Sequence, residues 1–254
     1  MARPMIVGNW KMNTSIRDAK AISTAIRAQL AGVDKVDVVV CPPFPYLFEV
    51  KQCLDGCDIQ LGAQNIYHEG NGAFTGEISG SMVRELCDYV IIGHSERRQF
   101  LGETDEMINR KVLAALAVGL KPIICVGEDL NQRQQGTADI VIRGQVNTAL
   151  KGVESIRGIA IAYEPVWAIG TGVPATPEIA GDIMGNTIAD ALNVLFDKAQ
   201  AAEAPLLYGG SVNPENIKQF ILTPFISGAL VGGASLQPEM FSQIALNTQE
   251  FTCF

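Results

Sequence analysis

Histidine and tryptophan are scarce in this 254-residue sequence, with two of each. With so few imidazoles, a histidine-built metal centre is hard to assemble. Cysteine does not make up the deficit. Cys41, Cys53, Cys57, Cys87, Cys125 and Cys253 are scattered, and the close pair Cys53/Cys57 has no second pair to complete a tetrahedral site. No metal is expected. The scatter also excludes a disulfide scaffold, and Cys41, Cys87 and Cys125 lie in or beside apolar runs, as reduced core thiols do. No apolar run approaches the ~20 residues that span a bilayer. The start, MARPMIVGNWK, lacks an apolar h-region and a small-residue cleavage site, so a cytoplasmic location is expected. Positive charge is outnumbered, 19 Lys+Arg against 27 Asp+Glu, for a formal net charge of −8. That balance argues against nucleic acid or an anionic membrane as partner. An anionic substrate must then be captured by local features. Pro/Ser-rich linkers and low-complexity tracts are missing too, so residues 1–254 are expected to form a single domain.

What the chain does have is repetition. Apolar runs recur at Met5–Val7, Val36–Cys41, Ile59–Ala63, Tyr89–Ile92, Pro122–Val126, Ile159–Tyr163, Leu206–Tyr208 and Ala229–Val231. Most are continuous rather than alternating, as in parallel strands buried on both faces. Helical stripes lie between them, for example Ile16, Ala19, Ile22, Ile26 and Leu30, or Ile108, Val112, Ala115 and Leu116 with Gly119 placed to end the helix. Thr176-Pro177-Glu178, Asn213-Pro214-Glu215 and Gln237-Pro238-Glu239 read as helix starts with proline at the first position. Eight strand–helix repeats in about 250 residues suit a closed α/β barrel of the (β/α)8 type. Gln64–Ser79 is too long for a tight connection and reads as a projecting or partner-binding loop.

Barrels of this kind place their active sites at the carboxyl ends of the strands. After the first run come Asn9 and Lys11; the lysine is either a solvated loop residue or an ammonium in the barrel mouth. After the fourth comes His94, followed by Ser95-Glu96-Arg97-Arg98. A helix start there disfavours imidazolium and keeps the ring neutral, while the two arginines can be read simply as ion-pair formers. The sixth run ends on Glu164, a carboxylate that burial makes costly unless it has a partner or work to do. Val166–Ile169 then leads into Gly170 and Gly172, a pattern that suits a lid or an ordinary loop packed on the rim. Gly209-Gly210-Ser211 and Gly232-Gly233 follow the last two runs, where barrels commonly bind phosphate through backbone N–H groups.

The segments GNWKMN (8–13), NGAFTGEIS (71–79), YVIIGHSERR (89–98), AYEPVWAIGTG (162–172), YGGSV (208–212) and LVGGASL (230–236) together resemble the triosephosphate isomerase family, in order and with its spacing. That resemblance implies a TIM barrel interconverting dihydroxyacetone phosphate and D-glyceraldehyde 3-phosphate through a cis-enediolate, in glycolysis and gluconeogenesis, without metal or organic cofactor. It implies Glu164 as base, His94 as neutral electrophile and Lys11 as counter-charge, a division of labour that comes with the family. It assigns substrate binding to Asn9, Lys11, Gly170, Ser211, Gly232 and Gly233. It implies a homodimer through the loop Gln64–Ser79, with Gly72–Glu77 as the tip and Thr75 reaching the partner's first loop. One departure is the pair Val173-Pro174, where the family often has Lys and a small residue. Proline restricts both positions, so an altered lid-opening rate with chemistry retained is expected. Two other readings compete: a phosphate-binding barrel lyase using Lys11 as a Schiff-base nucleophile, and a barrel kept only for binding.

Overall fold

A computed structural model describes residues 3–168 and 175–251. Eight parallel strands close into a barrel in chain order: β1 Met5–Asn9, β2 Asp37–Cys41, β3 Gln60–Ala63, β4 Tyr89–Ile92, β5 Lys121–Val126, β6 Ala160–Tyr163, β7 Leu206–Tyr208 and β8 Gly228–Val231. β8 returns to β1, with Met5 opposite Gly228 and Gly8 opposite Val231. Every expected strand is present. The chief difference is at β1, which runs on to include Asn9.

Period-two alternation sorts the strand residues into two layers. Met5, Val7, Val39, Cys41, Tyr89, Ile91, Ile123, Cys125, Ala160, Ala162, Leu207 and Leu230 fill the barrel interior. Their neighbours, such as Ile6, Val38, Val90, Ile124 and Ile161, form the shell beneath the helices. Both faces of each strand are thus buried, which is why the runs read as continuous.

The helix Ile16–Gln29 buries Ala19 and Ile26, while Ile16, counted in the expected stripe, is 49% exposed at its start. Asp105–Ala117 buries Ile108, Val112 and Ala115, and Gly119 follows it with a left-handed φ of +77°. Pro177–Asp182 and Pro238–Phe251 begin on proline as expected. The third proline does not open its helix. There Asn213 and Asn216 exchange side-chain-to-backbone hydrogen bonds of 2.9 and 2.8 Å, forming a turn that delays the helix to Ile217–Ile221. Among the described residues no helix is long and apolar enough to cross a membrane.

Candidate active site

The interior alternation continues past the strand ends and builds the site. Met5 and Val7 face inward, so Asn9 follows on the same side, and Lys11, two residues past the end of the strand, also lines the mouth. Ala160 and Ala162 face inward, and Glu164 follows them. Leu207 and Leu230 do likewise, so Gly209 and Gly232 occupy inward positions with no side chain to fill the mouth. At β4 the phase is reset: Gly93 takes φ +75° and the chain turns so that His94 caps the helix Ser95–Leu101. Asn9, Lys11, His94, Glu164, Ser211, Gly232 and Gly233 all line one cavity of about 320 Å³. Gly170 and the pair Val173-Pro174 lie outside the described residues.

Glu164 is 2% exposed and both its carboxylate oxygens have donors. Oε1 lies 2.9 Å from Nε2 of His94, and Oε2 accepts the Ser95 backbone N–H at 2.7 Å. Nδ1 of His94 accepts the Glu96 backbone N–H at 3.3 Å, so the hydrogen-bond network assigns the neutral ring's proton to Nε2. Burial is the strongest influence on each group and opposes its charge. For Glu164 it is outweighed by the charge and hydrogen bond of His94 and by the Ser95 donors, so the carboxyl stays below its ordinary range. For His94 it is outweighed by the charge and hydrogen bond of Glu164, so the ring is raised while the two are in contact. The expectation of a neutral His94 rests on the helix start and on the family resemblance. The structure adds an opposing effect that lasts only as long as Glu164 stays on Nε2.

Lys11 has φ +52°, a left-handed backbone that a non-glycine residue adopts only when its surroundings hold it. Its N–H donates to Oδ1 of Asn9 at 3.0 Å, and its carbonyl accepts Nε2 of Gln64 at 2.8 Å. Nζ donates to Glu96 at 2.6 Å. Lys11 is therefore no free loop lysine; its ammonium lies in the mouth, beside Gly232. Gly209 is needed for a steric reason, since a Cβ there would stand 2.8 Å from Cγ of Glu164 and 3.0 Å from the Tyr163 carbonyl. At Gly233 a Cβ would meet nothing within 4 Å, so it would project into open space. A short 3-10 turn, Gly233–Leu236, starts at the second glycine pair. No helix directly follows the first, because Asn213 and Asn216 have delayed it.

Two contributors, the Ser95 N–H and Gln64, are not marked by the sequence; Glu96 stands two residues after His94 as a carboxylate that could orient neighbours, but its partner is not legible there. The Ser95 N–H is invisible because any residue type supplies it. The Lys11–Glu96 and Lys11–Gln64 contacts join positions 85 and 53 apart. The one available signal for Gln64 was its place directly after β3. Beyond Glu164, the described residues Val166–Ala168 pack on the rim. There the indole N–H of Trp167 donates to the buried Glu128 at 2.7 Å and Arg133 stacks on the ring at 4.4 Å.

The family model for triosephosphate isomerase matches residues 4–248. A triosephosphate isomerase of Herpetosiphon aurantiacus is 50% identical over 247 residues, covering 96% of this chain and 98% of its own. One from Carboxydothermus hydrogenoformans is also 50% identical over 247 residues, with the same coverage. One from Caldanaerobacter subterraneus subsp. tengcongensis is 51% identical over 251 residues, covering 96% and 99%. With a closed eight-stranded parallel barrel and a near-full-length match, the chain belongs to the triosephosphate isomerase family.

Proposed function

We propose that this barrel mouth interconverts dihydroxyacetone phosphate and D-glyceraldehyde 3-phosphate through a cis-enediolate, with Glu164 moving the proton. The observation that carries the reading is the convergence of Glu164, His94 and Lys11 with both glycine loops on one cavity. A proton beside a carbonyl is weakly acidic, so its removal needs a base at one side and charge stabilisation at the oxygens. Glu164 is an ionised base held by two donors. To reach a substrate carbon it leaves Ser95 and His94, exchanging those hydrogen bonds for the proton. Nε2–H of His94 is then free to donate to a substrate oxygen. Without the carboxylate beside it, burial and the Glu96 N–H on Nδ1 favour the neutral ring. Lys11 faces the other oxygens, and the N–H groups around Ser211, Gly232 and Gly233 take the phosphate. A coupled assay of the purified chain with glyceraldehyde 3-phosphate tests the reading; absence of isomerisation refutes it.

The contact between His94 and Glu164 has a measurable sign. His94, being raised, contributes stability that is complete below the ring's unfolded value and lost as pH rises through the folded one. Glu164, being lowered, contributes stability present above its unfolded value and lost as pH falls through the folded one. Because the chain has two histidines, both rings can be followed by NMR. His68 is lowered by burial and by Arg110, so His94 is expected to titrate above it. In Glu164→Gln the carboxylate's pull is gone, and His94 should drop below the ordinary value of about 6.5. A His94 titration indifferent to this change would rule out the pairing as its cause.

The homodimer through Gln64–Ser79 is part of the same proposal, as are a cytoplasmic location and a single domain over 1–254. Residues 69–77 stand exposed. Phe74 is 41% exposed with its ring 4.9 Å from Tyr67, and Met12 beside Lys11 is 96% exposed. Apolar side chains this open support a covering partner. Sedimentation should give twice the 27.2 kDa chain mass, and Thr75→Arg should shift it toward one; a native chain that sediments as a monomer defeats the idea.

A further inference from the structure

Arg98 lies one turn into the helix that His94 caps, with its side chain 17% exposed. Nη1 makes an ion pair with Asp105 at 2.5 Å, but its other nitrogens point elsewhere. Nε donates to the Gly93 carbonyl at 2.8 Å, and Nη2 donates to the Cys125 carbonyl at 3.1 Å. These carbonyls belong to the ends of two neighbouring strands. The Gly93 carbonyl shares a peptide plane with the N–H of His94, so holding it fixes how the imidazole enters the mouth. The Cys125 carbonyl shares a plane with the N–H of Val126, and the Val126 carbonyl accepts the Glu164 N–H at 2.8 Å.

We propose that Arg98 is a positioning residue for the His94 and Glu164 pair, its guanidinium clamping the ends of β4 and β5 at their set separation. Asp105 is the first residue of the helix Asp105–Ala117, so the fork is anchored to a rigid element. The left-handed Gly93 gives the clamp a reason to exist. Its conformation is reached without penalty but is also easily left, and a Cβ there would stand 2.9 Å from Ile108 and 3.3 Å from Nη2 of Arg98. Glycine lets the guanidinium approach, and the guanidinium removes the freedom that glycine brings. Only arginine meets the geometry. Its donors are spread over a planar fork, whereas a lysine offers three donors from one atom and cannot reach divergent acceptors together.

The inference rests on the proposed isomerisation for its kinetic readout, but not for its spectroscopic one. Arg98→Lys keeps the charge and can keep the ion pair with Asp105, and Arg98→Met removes both. In both variants kcat should fall about 10- to 100-fold, the cost of a misplacement near 1 Å. KM should stay within about twofold, because neither glycine loop is touched. The His94 ring resonances should move in both variants. A folded Arg98→Lys enzyme with native kcat and native His94 resonances overturns the proposal, since charge alone would then suffice. If neither variant folds, Arg98 is a structural residue and the proposal fails as well. If the native chain shows no isomerase activity, the functional reading falls, while a moved His94 resonance in Arg98→Lys still supports the clamp.

Discussion

Glu164→Asp is expected to lose about 10²-fold or more in kcat, with KM and the affinity for inorganic phosphate close to native. The carboxylate stays ionised and buried, but its stem is one methylene shorter. In the resting enzyme Glu164 spans from the β6 end to both Nε2 of His94 and the N–H of Ser95, at 2.9 and 2.7 Å. A shorter side chain cannot hold those contacts and also reach a carbon over the mouth. The two partners of the Glu164 carboxylate, His94 and the Ser95 N–H, lie outside the proposed phosphate loops, so binding should be spared. A steady-state assay separates the two constants. Native kcat in the aspartate variant would remove Glu164 as the base.

Lys11→Met should lower kcat/KM by about 10²- to 10³-fold, the usual scale for losing one preorganised charge-stabilising group. The chain as a whole repels an anion, with a net charge of −8. Among the described residues lining the cavity, Lys11 is the one with a permanent positive charge. Its ammonium is held at 2.6 Å by Glu96, and its backbone by Asn9 and Gln64, so the charge is aimed before substrate arrives. Methionine keeps the stem but leaves the Glu96 carboxylate without its ammonium partner, adding uncompensated negative charge to the lost attraction. The loss should therefore appear in KM as well as kcat, unlike that of Glu164→Asp. A methionine variant within twofold of native kcat/KM would dismiss this role. The carboxylate against Nζ also weighs against Schiff-base chemistry, which needs a free amine. Borohydride added with dihydroxyacetone phosphate should leave Lys11 unmodified, and a covalent adduct would revive the lyase reading.

The strands were legible because burial on both faces writes a continuous apolar run, and each run fell where a strand stands. Proline before glutamate marked two helix starts correctly, where threonine or glutamine preceded it. It failed at Asn213-Pro214-Glu215, where the two asparagines hydrogen-bond each other instead of releasing the chain into a helix. Of the proposed site positions, Asn9 and Glu164 follow the inward phase of their own strands and Lys11 comes two residues after the end of its own, so local sequence pointed to them. His94 does not, because Gly93 shifts the phase with a backbone angle that no pattern of side chains encodes.

By itself, then, the sequence determined the number of strands, their closure as a repeat, and which strand ends carry a carboxylate, a cation and bare glycines. These follow from burial and periodicity, which act between near neighbours. Only the tertiary structure decided what each of those groups meets. Arg98 reads as one more ion-pair former along the chain; in the folded barrel it is a fork between two strand ends. Glu164 reads as a costly carboxylate, and in the fold His94 and a backbone N–H keep it ionised. The reason is geometric: barrel closure brings residues 69 and 27 positions apart to 2.7 and 3.1 Å, and such proximity leaves no trace in local sequence.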